Sequence, residues 1–179
     1  MRISVILPFY NESSTIQKTI DCLKDQTRLP DEVLFIDSGS NDDTSRIIQD
    51  NINTIQEFSL RIIYSGKMSP SSSINLGIKS AKHTMIMYLD CGLYIPKNWI
   101  ESQITKYKDT TSDIISGKIF TKGTNNIDKS FIAHTYGYMN SSPCLTGSLF
   151  DKNIIDKTGD FIENIRAGYD THFIKKIND

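Results

Sequence analysis

Three aspartates stand at points of the sequence where a carboxylate could do chemistry. Asp37 ends the apolar run 33–36, Asp90 ends the apolar run 85–89, and Asp170 opens the last amphipathic segment. A carboxylate at the end of a buried strand is costly unless it is hydrogen-bonded, paired or bound to a metal. Ligands of parallel sheets bind at the carboxyl ends of the strands. The sequence therefore predicts that Asp37 and Asp90 face one ligand pocket.

The segments that must position these aspartates alternate between strand and helix patterns. In the first half, a strand followed by a helix occurs three times and leads into a fourth strand, which predicts a parallel sheet flanked by helices. After residue 96 this rhythm breaks. The pattern then predicts strands over 113–120 and 144–150, a short helix over 154–158 and a last helix from Asp170. We interpret residues 1–179 as a single domain.

Local signals also predict where several helices begin. Ser14 and Gln17 have the spacing of a capping box. Pro96 suits the first turn of a helix, and Asp170 suits an N-cap. A short helix is expected around 74–81, after a loop that contains glycine and proline.

Composition and charge exclude several classes of function. The chain has 179 residues, enough for one domain with a sizeable core, and its 20 basic and 21 acidic residues give a formal net charge of −1. Because nucleic-acid binders usually carry a basic stripe, this balance argues against a nucleic-acid partner. No window is apolar for long enough to span a bilayer, and residues 1–8 are interpreted as a strand rather than a signal peptide. The three separated cysteines fit neither a disulfide framework nor a zinc site, which suits the cytosol.

Each motif also has a plain structural interpretation. The run 37–44 holds the Asp, Ser, Gly and Asn residues that a strand-to-helix turn needs. The sole role of Asp90 could be in a turn, and the sole role of Asp170 could be to cap a helix. The glycine-rich loops of dinucleotide sites and of P-loops are absent after the first strand. From the residues alone, the functional and the structural interpretations both stay open.

Several segments nevertheless occur together in a fixed order. They are Val5-Ile6-Leu7-Pro8-Phe9-Tyr10-Asn11-Glu12, the run 35–44, Asn75-Leu76-Gly77, and Tyr88-Leu89-Asp90-Cys91-Gly92 with Pro96 and Trp99, followed by 145–148 and 167–171. In this order they resemble family-two glycosyltransferases of the GT-A fold. The resemblance implies a mostly parallel, Rossmann-like α/β sheet flanked by helices, with a nucleotide-sugar-binding half over 1–95. The acceptor half over 96–179 would be smaller and mixed, and we expect it to be truncated at the C-terminus or unusually small.

The resemblance also implies roles for the matched residues. Asp170 would be the catalytic base of an inverting displacement, and Asp90 would bind Mg²⁺ or Mn²⁺ together with the donor diphosphate. A carboxylate suits the first role because a sugar hydroxyl is a poor nucleophile until its proton is taken. It suits the second because hard cations prefer oxygen ligands. The residues expected to contact the donor are Pro8, Phe9, Tyr10, Glu12, Asp37, Asn75, Asp90 and Cys91.

Three residues depart from the pattern of the resembled family. Gly92 replaces the second aspartate of its Asp-x-Asp element, Tyr169 replaces the usual glutamate before the base, and Ile74 stands where many members have a basic residue. Cys91 is a soft thiol and a poor ligand for Mg²⁺ or Mn²⁺. The metal would therefore be held by Asp90, the diphosphate and water.

These observations lead to one leading hypothesis and one alternative. The leading hypothesis is a cytoplasmic, inverting glycosyltransferase that moves a sugar from a nucleotide-diphosphate donor to a saccharide or lipid-linked acceptor in surface polysaccharide synthesis. Its membrane contact would be peripheral, on the inner face. The alternative is a non-catalytic or partner-dependent nucleotide-sugar-binding module, which Gly92 favours and Asp170 opposes. A related nucleotidyltransferase would need a basic, glycine-rich loop after the first strand, and residues 11–14 are not such a loop.

Overall fold

The computed structural model describes residues 1–119, 144–165 and 167–178 of the chain. Six strands and six helices lie within these residues. In chain order they are β1 (Ile3–Phe9), α1 (Ile16–Lys24), β2 (Glu32–Asp37), α2 (Thr44–Ile52), β3 (Ser59–Tyr64), α3 (Pro70–Ser80), β4 (Met85–Tyr88), α4 (Trp99–Asp109), β5 (Ile114–Gly117), β6 (Cys144–Asp151), α5 (Ile154–Thr158) and α6 (Tyr169–Asn178).

The six strands form one sheet in the order β3-β2-β1-β4-β6-β5. Strand β1 pairs in parallel with β2 and β4, and β2 pairs in parallel with β3. Strand β6 runs antiparallel to both of its neighbours, β4 and β5. The sheet is therefore parallel over the first half of the chain and mixed over the second, which confirms the predicted α/β fold.

Helices cover both faces of the sheet because its central strands are apolar on both sides. In β1, Val5 and Leu7 join one buried layer and Ile6 joins the other, since successive side chains of a strand alternate. The first layer includes side chains of α1, α2 and α4, and the second includes side chains of α3, α5 and α6. The parallel strands thus end at one edge of the sheet, where the loops that follow β1, β2 and β4 meet.

The start of α1 differs from the prediction. The helix begins at Ile16, and no side-chain hydrogen bond caps it, so the capping box expected from Ser14 and Gln17 is wrong. Instead, the carbonyl oxygen of Glu12 accepts the backbone N–H groups of Thr15 and Ile16 at 2.9 and 2.8 Å. A backbone turn therefore satisfies the donors that the side chains were expected to satisfy.

Two further helix starts are corrected by the structure. Helix α4 begins at Trp99, three residues after Pro96, whose carbonyl oxygen accepts the Trp99 N–H at 3.0 Å. Pro96 therefore precedes the helix rather than opening it. Asp170 lies within the first turn of α6, which begins at Tyr169, so Asp170 is not the N-cap.

Helix α3 begins earlier than the expected range of 74–81. Its N-cap is Ser69, whose hydroxyl oxygen accepts the N–H of Ser72 at 3.2 Å, and Pro70 occupies the first helical position. Proline is well suited to that position because its missing N–H would have no partner there. The start of α3 lies at the edge of the sheet where β2 ends, because the hydroxyl groups of Ser73 and Ser38 are hydrogen-bonded at 2.8 Å.

The remaining elements predicted for the second half agree with the structure where it is described. The strand expected over 113–120 is observed at Ile114–Gly117, and the short helix ends before Gly159 as expected. The loop predicted over 121–130 and the ambiguous segment over 131–140 lie outside the described residues. Within the described residues, we find no helix with the length and apolar character that crossing a membrane requires.

Candidate active site

A cavity of about 700 Å³ opens at the carboxyl edge of the sheet. Its walls come from the loop after β1, the end of β4, the segment that leads into α3 and the first residue of α6. The lining residues are Pro8, Phe9, Tyr10, Glu12, Ser38, Lys67, Met68, Pro70, Tyr88, Asp90, Cys91 and Tyr169. The structure therefore brings six of the nine predicted site residues into one wall: Pro8, Phe9, Tyr10, Glu12, Asp90 and Cys91.

The loop after β1 is held in place by the loop after β2. The backbone N–H of Glu12 donates to Thr44 Oγ1 at 2.8 Å, and the N–H of Ser13 donates to Asp42 Oδ2 at 3.0 Å. Because these bonds involve backbone groups, they fix the path of the chain rather than one side chain. Tyr10 stands on this loop with 57% of its surface exposed, at the mouth of the cavity.

Asp37 lies at the same edge but does not line the cavity. Its Oδ1 accepts the N–H groups of Gly39 and Ser40 at 3.1 and 2.7 Å, and its Oδ2 accepts the Ser45 hydroxyl at 2.6 Å. The carboxylate therefore shapes the turn after β2. The neighbouring Ser38 lines the cavity in its place.

Asp90 is held from both sides. The hydroxyl of Tyr88 donates to its Oδ1 at 2.5 Å, and its own N–H donates to Thr146 Oγ1 on β6 at 2.9 Å. Burial raises the pKa of the Asp90 carboxyl, hydrogen bonds from Tyr88 and Thr146 lower it, and the charges of Asp170 and Glu12 raise it, so that the pKa lies above its usual value. Asp90, Asp170 and Glu12 are thus close enough to interact electrostatically.

The two residues after Asp90 explain why this element has one carboxylate. Gly92 has φ +78°, a conformation that favours glycine, and its N–H donates to Thr19 Oγ1 on α1 at 3.1 Å. A side chain at this position would be strained and would contact Thr15. Burial, together with the charges of Glu12 and Asp90, raises the pKa of the Cys91 thiol, so Cys91 lines the cavity as a neutral group.

Asn75 is not part of the cavity wall. Its amide nitrogen donates to the Phe161 carbonyl at 2.9 Å and to Glu163 Oε1 at 3.1 Å, and its amide oxygen accepts the Phe161 N–H at 2.9 Å. Asn75 is 3% exposed, so these bonds occupy a buried amide. Asn75 therefore fixes the segment 161–163, which precedes α6 in the chain, to α3.

Helix α6 brings Tyr169 and Asp170 to the site. Tyr169 lines the cavity, and its ring packs edge-on against Phe161 at a centroid distance of 6.5 Å. Burial raises the pKa of the Tyr169 phenol, and the negative charges of Asp90 and Asp170 raise it further. Asp170 is half-buried beside this phenol and does not line the cavity.

Six of the lining residues were not predicted as site residues from sequence: Ser38, Lys67, Met68, Pro70, Tyr88 and Tyr169. Of these, Lys67 and Tyr88 are the two whose chemistry bears most on a ligand. Lys67 follows a glycine in the loop between β3 and α3, and only the fold reveals that this loop returns to the turn after β2. Tyr88 was interpreted as part of an apolar strand. Its spacing of two from Asp90 was the available signal, because residues i and i+2 of an extended chain share a face.

A second cavity, of about 690 Å³, lies on the other side of residues 89–90. Leu89 and Thr146 line it, and Trp99 and Tyr94 contribute aromatic side chains. The Trp99 Nε1–H donates to the Gly147 carbonyl at 3.2 Å. This cavity adjoins β5 and β6, so the two cavities flank the end of β4.

The donor set of the first cavity allows only limited metal binding by the protein. Among residues 1–119, 144–165 and 167–178, no group of three or more histidine, cysteine or carboxylate side chains is arranged to hold a metal ion. Asp90 is the carboxylate expected to bind one. Mg²⁺ commonly binds through one or two carboxylates together with substrate phosphates and water. The site therefore fits a cation that a diphosphate brings with it, rather than one that the protein holds alone.

Comparison with protein families gives one match over nearly the whole chain. The model of the family described as Glycosyl transferase family 2 matches residues 4–172. Glycosyltransferase AglE of Haloferax volcanii is 24% identical over an alignment that covers 99% of this chain and 61% of AglE. The chain therefore spans less than two thirds of this relative.

Two solved structures share the fold. TarS 1–349 of S. aureus in complex with UDP-GlcNAc superposes with a TM-score of 0.73 and 21% identity, over 99% of this chain and 53% of that one. The mannosyltransferase PcManGT of Pyrobaculum calidifontis, in complex with GDP-Man and Mn²⁺, gives a TM-score of 0.74 and 19% identity, over 98% and 51%. At identities this low, the TM-scores show the shared GT-A fold alone.

Proposed function

Because the chain belongs to glycosyl transferase family 2, we propose that it transfers a sugar from a nucleotide-diphosphate donor to a saccharide or lipid-linked acceptor. The observation that carries the proposal is the cavity at the carboxyl edge of the sheet. Six residues predicted from sequence to contact a donor line it, and Asp90 and Asp170 lie close enough to interact. Parallel α/β sheets bind ligands at this edge.

The first cavity would bind the donor. Pro8, Phe9 and Tyr10 offer the apolar and aromatic surface that a nucleobase needs, and Lys67 offers a positive charge. Its volume of about 700 Å³ lies in the range of ligand pockets. The complexes of TarS with UDP-GlcNAc and of PcManGT with GDP-Man support a nucleotide sugar as the ligand class.

A divalent cation, Mg²⁺ or Mn²⁺, would accompany the donor. Asp90 would contribute a carboxylate oxygen to it, and the cation would neutralise charge on the diphosphate leaving group. The Mn²⁺ in the PcManGT complex supports this assignment. The Tyr88 hydroxyl donates to Asp90 Oδ1 and the Asp90 N–H donates to Thr146, so both the side chain and the backbone of Asp90 are anchored next to the cavity.

Asp170 would act as the base. Its carboxylate would take the proton of the acceptor hydroxyl as that oxygen forms a bond to the anomeric carbon. The bond between that carbon and the diphosphate oxygen breaks at the same time, and the nucleoside diphosphate leaves with the electron pair. Attack from the face opposite the leaving group inverts the anomeric configuration.

The second cavity would hold the acceptor. Leu89, the residue before Asp90, lines this cavity. Thr146 also lines it, and its hydroxyl oxygen accepts the Asp90 N–H. The aromatic rings of Trp99 and Tyr94 suit the apolar face of a sugar ring or the first part of a lipid carrier. We further propose a role in surface polysaccharide synthesis in the cytoplasm, with peripheral contact to the inner face of the membrane.

One observation favours a second candidate function. Gly92 supplies no side-chain ligand, and its positive φ shows that the backbone there is built for glycine. A chain with this feature could bind nucleotide sugars without transferring them, or could transfer them only with a partner chain. Asp170 beside Tyr169 argues for catalysis, because a binding module has no need of a base.

Binding and transfer assays separate these functions. The purified chain would be titrated with UDP, GDP, CDP and dTDP, with and without Mn²⁺, and the corresponding sugar donors would be tested for transfer to lipid and saccharide acceptors. We expect one nucleotide to bind and its sugar to be transferred. Binding without transfer would favour the non-catalytic module, and no binding by any nucleotide would contradict both functions.

A further inference from the structure

Tyr88 is the last residue of β4 and carries a buried hydroxyl. The residue is 3% exposed and packs in the layer that contains Ile86 and Phe161. A phenol oxygen buried without a partner would cost free energy. Here the hydroxyl donates to Asp90 Oδ1 at 2.5 Å, a short bond of the charge-assisted type.

The backbone explains why these two side chains meet. The chain remains extended beyond β4, because the N–H of Leu89 donates to the Ile6 carbonyl of β1 at 3.1 Å. In an extended segment, residues two apart point to the same face. Tyr88 and Asp90 therefore lie side by side, on the face covered by α3 and α6.

Tyr169 lies close to the Tyr88–Asp90 pair. It is the first residue of α6 and lines the cavity together with Tyr88 and Asp90. Its phenol lies close enough to both to affect the pKa of Tyr88 and to respond to the charge of Asp90. Tyr169 and the Tyr88–Asp90 pair therefore share one wall of the cavity, although they come from different parts of the chain.

We propose that Tyr88 is a positioning residue for sugar transfer, whose hydroxyl fixes the Asp90 carboxylate in the orientation that receives the donor. This inference rests on the proposed function. The torsion that orients an aspartate carboxylate is broad and weakly restrained by itself. The bond from Tyr88 occupies Oδ1, so the carboxylate meets the ribose or the cation-bound diphosphate in one orientation with its other oxygen.

The substitution Tyr88→Phe tests the proposal because it removes one oxygen and keeps the ring. We expect Tyr88→Phe to bind the preferred nucleoside diphosphate about tenfold more weakly in the presence of Mn²⁺, the scale of losing one hydrogen bond to a charged group. Thermal unfolding should change little. A matched control is Tyr107→Phe, because Tyr107 is half-buried on α4 and lines neither cavity.

A double-mutant cycle separates positioning from packing. Isothermal titration would measure UDP, GDP, CDP and dTDP binding to the wild type, Tyr88→Phe, Asp90→Asn and the double variant. If Tyr88 acts through Asp90, the hydroxyl should matter less than twofold once Asp90 is replaced. A crystal structure of Tyr88→Phe should show the Asp90 carboxylate rotated from its position in the wild type.

Each outcome decides between the two proposals. If none of the four nucleotides binds the wild type, the proposed function fails and this inference fails with it. If the wild type binds and Tyr88→Phe binds equally well, only the inference fails. The inference also fails if Tyr88→Phe loses as much affinity in the Asp90→Asn background as in the wild type, since the hydroxyl would then not act through Asp90. It fails as well if Tyr88→Phe unfolds, since the hydroxyl would then serve stability alone.

Discussion

At the scale of single residues, the first cavity is lined by few charges. Glu12 and Asp90 are its carboxylates, and Lys67 is the one lysine or arginine among the lining residues that the structure describes. Ile74, which stands where many members of the family have a cation, is fully buried. Lys67 is therefore the side chain placed to oppose the charge of a nucleoside diphosphate.

Replacing Lys67 should weaken donor binding without affecting the fold. We expect Lys67→Gln to bind the preferred nucleoside diphosphate about fivefold more weakly, on the scale of a partly exposed ion pair. The affinity should also depend less on salt, because an exposed ion pair is screened. Titration at two salt concentrations measures both effects, and Lys106→Gln on α4 is the control. Equal affinities for the two variants would remove Lys67 from the site.

Asp170→Asn should separate binding from chemistry. Loss of a general base lowers the rate of transfer by roughly 100-fold or more, whereas nucleoside diphosphate affinity should stay within about twofold because Asp170 does not line the first cavity. Single-turnover transfer and a separate titration measure the two quantities. Asp156→Asn, at an exposed position of α5, is the control. A near wild-type transfer rate in Asp170→Asn would place the base elsewhere.

Metal binding should depend on the nucleotide. Asp90 is the carboxylate we assign to the cation, and the described part of the chain has no cluster of three potential ligands around it. Mn²⁺ should therefore bind weakly to the free protein and more tightly once a diphosphate supplies oxygens. Calorimetric titration with and without the nucleotide tests this expectation. Tight Mn²⁺ binding to the free protein would contradict it.

At the scale of secondary-structure elements, Asn75 joins two parts of the chain that are distant in sequence. It connects α3 to the segment 161–163 through three hydrogen bonds. Phe161, in turn, stacks on Phe173 of α6 at a centroid distance of 4.0 Å and contacts Tyr169. The position of Tyr169 in the cavity thus depends on an amide that does not itself reach the cavity.

Asn75→Ala should destabilise the protein and disturb the start of α6. The substitution leaves the N–H and carbonyl of Phe161 without their partner, at a cost of about 3 kcal/mol. Denaturant unfolding measures this change. Asn98→Ala is the matched control because Asn98 is exposed and makes no side-chain cap bond at the start of α4. A change below about 0.5 kcal/mol in Asn75→Ala would show that water replaces the amide.

The elements themselves were predictable from sequence, but their first residues were less so. Apolar runs and helical spacing identified the four strands and three helices of the first half because burial on both faces leaves a continuous pattern. The start of α1 was not predictable from Ser14, because a carbonyl oxygen took the capping role. Asp37 and Asn75 were recognised as motif residues, yet neither lines the cavity. Their side chains are instead hydrogen-bonded to groups that only the fold brings together.

At the scale of the whole molecule, a buried carboxylate ties the sheet together at the edge opposite the cavities. Glu32 is fully buried at the start of β2. It accepts hydrogen bonds from Ser4 of β1 at 2.6 Å, from Arg61 of β3 at 2.6 Å and from the Lys82 N–H, before β4, at 2.8 Å. One side chain thus links three parallel strands and the segment that leads into the fourth.

This network predicts a dependence of stability on pH. Burial raises the pKa of Glu32, but the hydrogen bonds from Ser4, Lys82 and Arg61 lower it, and the pKa in the folded protein lies below 4.5. The stabilisation is therefore present above about pH 4.5 and is lost as the pH falls through the folded pKa.

The substitution Glu32→Gln tests this dependence. It should lower the free energy of unfolding at pH 7 by about 2 kcal/mol, with a smaller difference from the wild type at pH 3. Urea unfolding at both pH values measures it, with Glu101→Gln, at an exposed position of α4, as the control. A difference that is the same at both pH values would mean that the charge of Glu32 is not involved.

The order of the residues along the chain also sets when the candidate site can be complete during synthesis. Asp90 enters the growing chain eighty residues before Asp170, and β6, which pairs with β4, is made in between. At about 5–20 residues per second, this interval lasts about 4–16 s. For that period the parallel strands can assemble while the cavity lacks Tyr169 and the proposed base, Asp170. Under the proposed function, a nascent chain could thus bind a nucleotide sugar seconds before the residue proposed to catalyse its transfer has been synthesised.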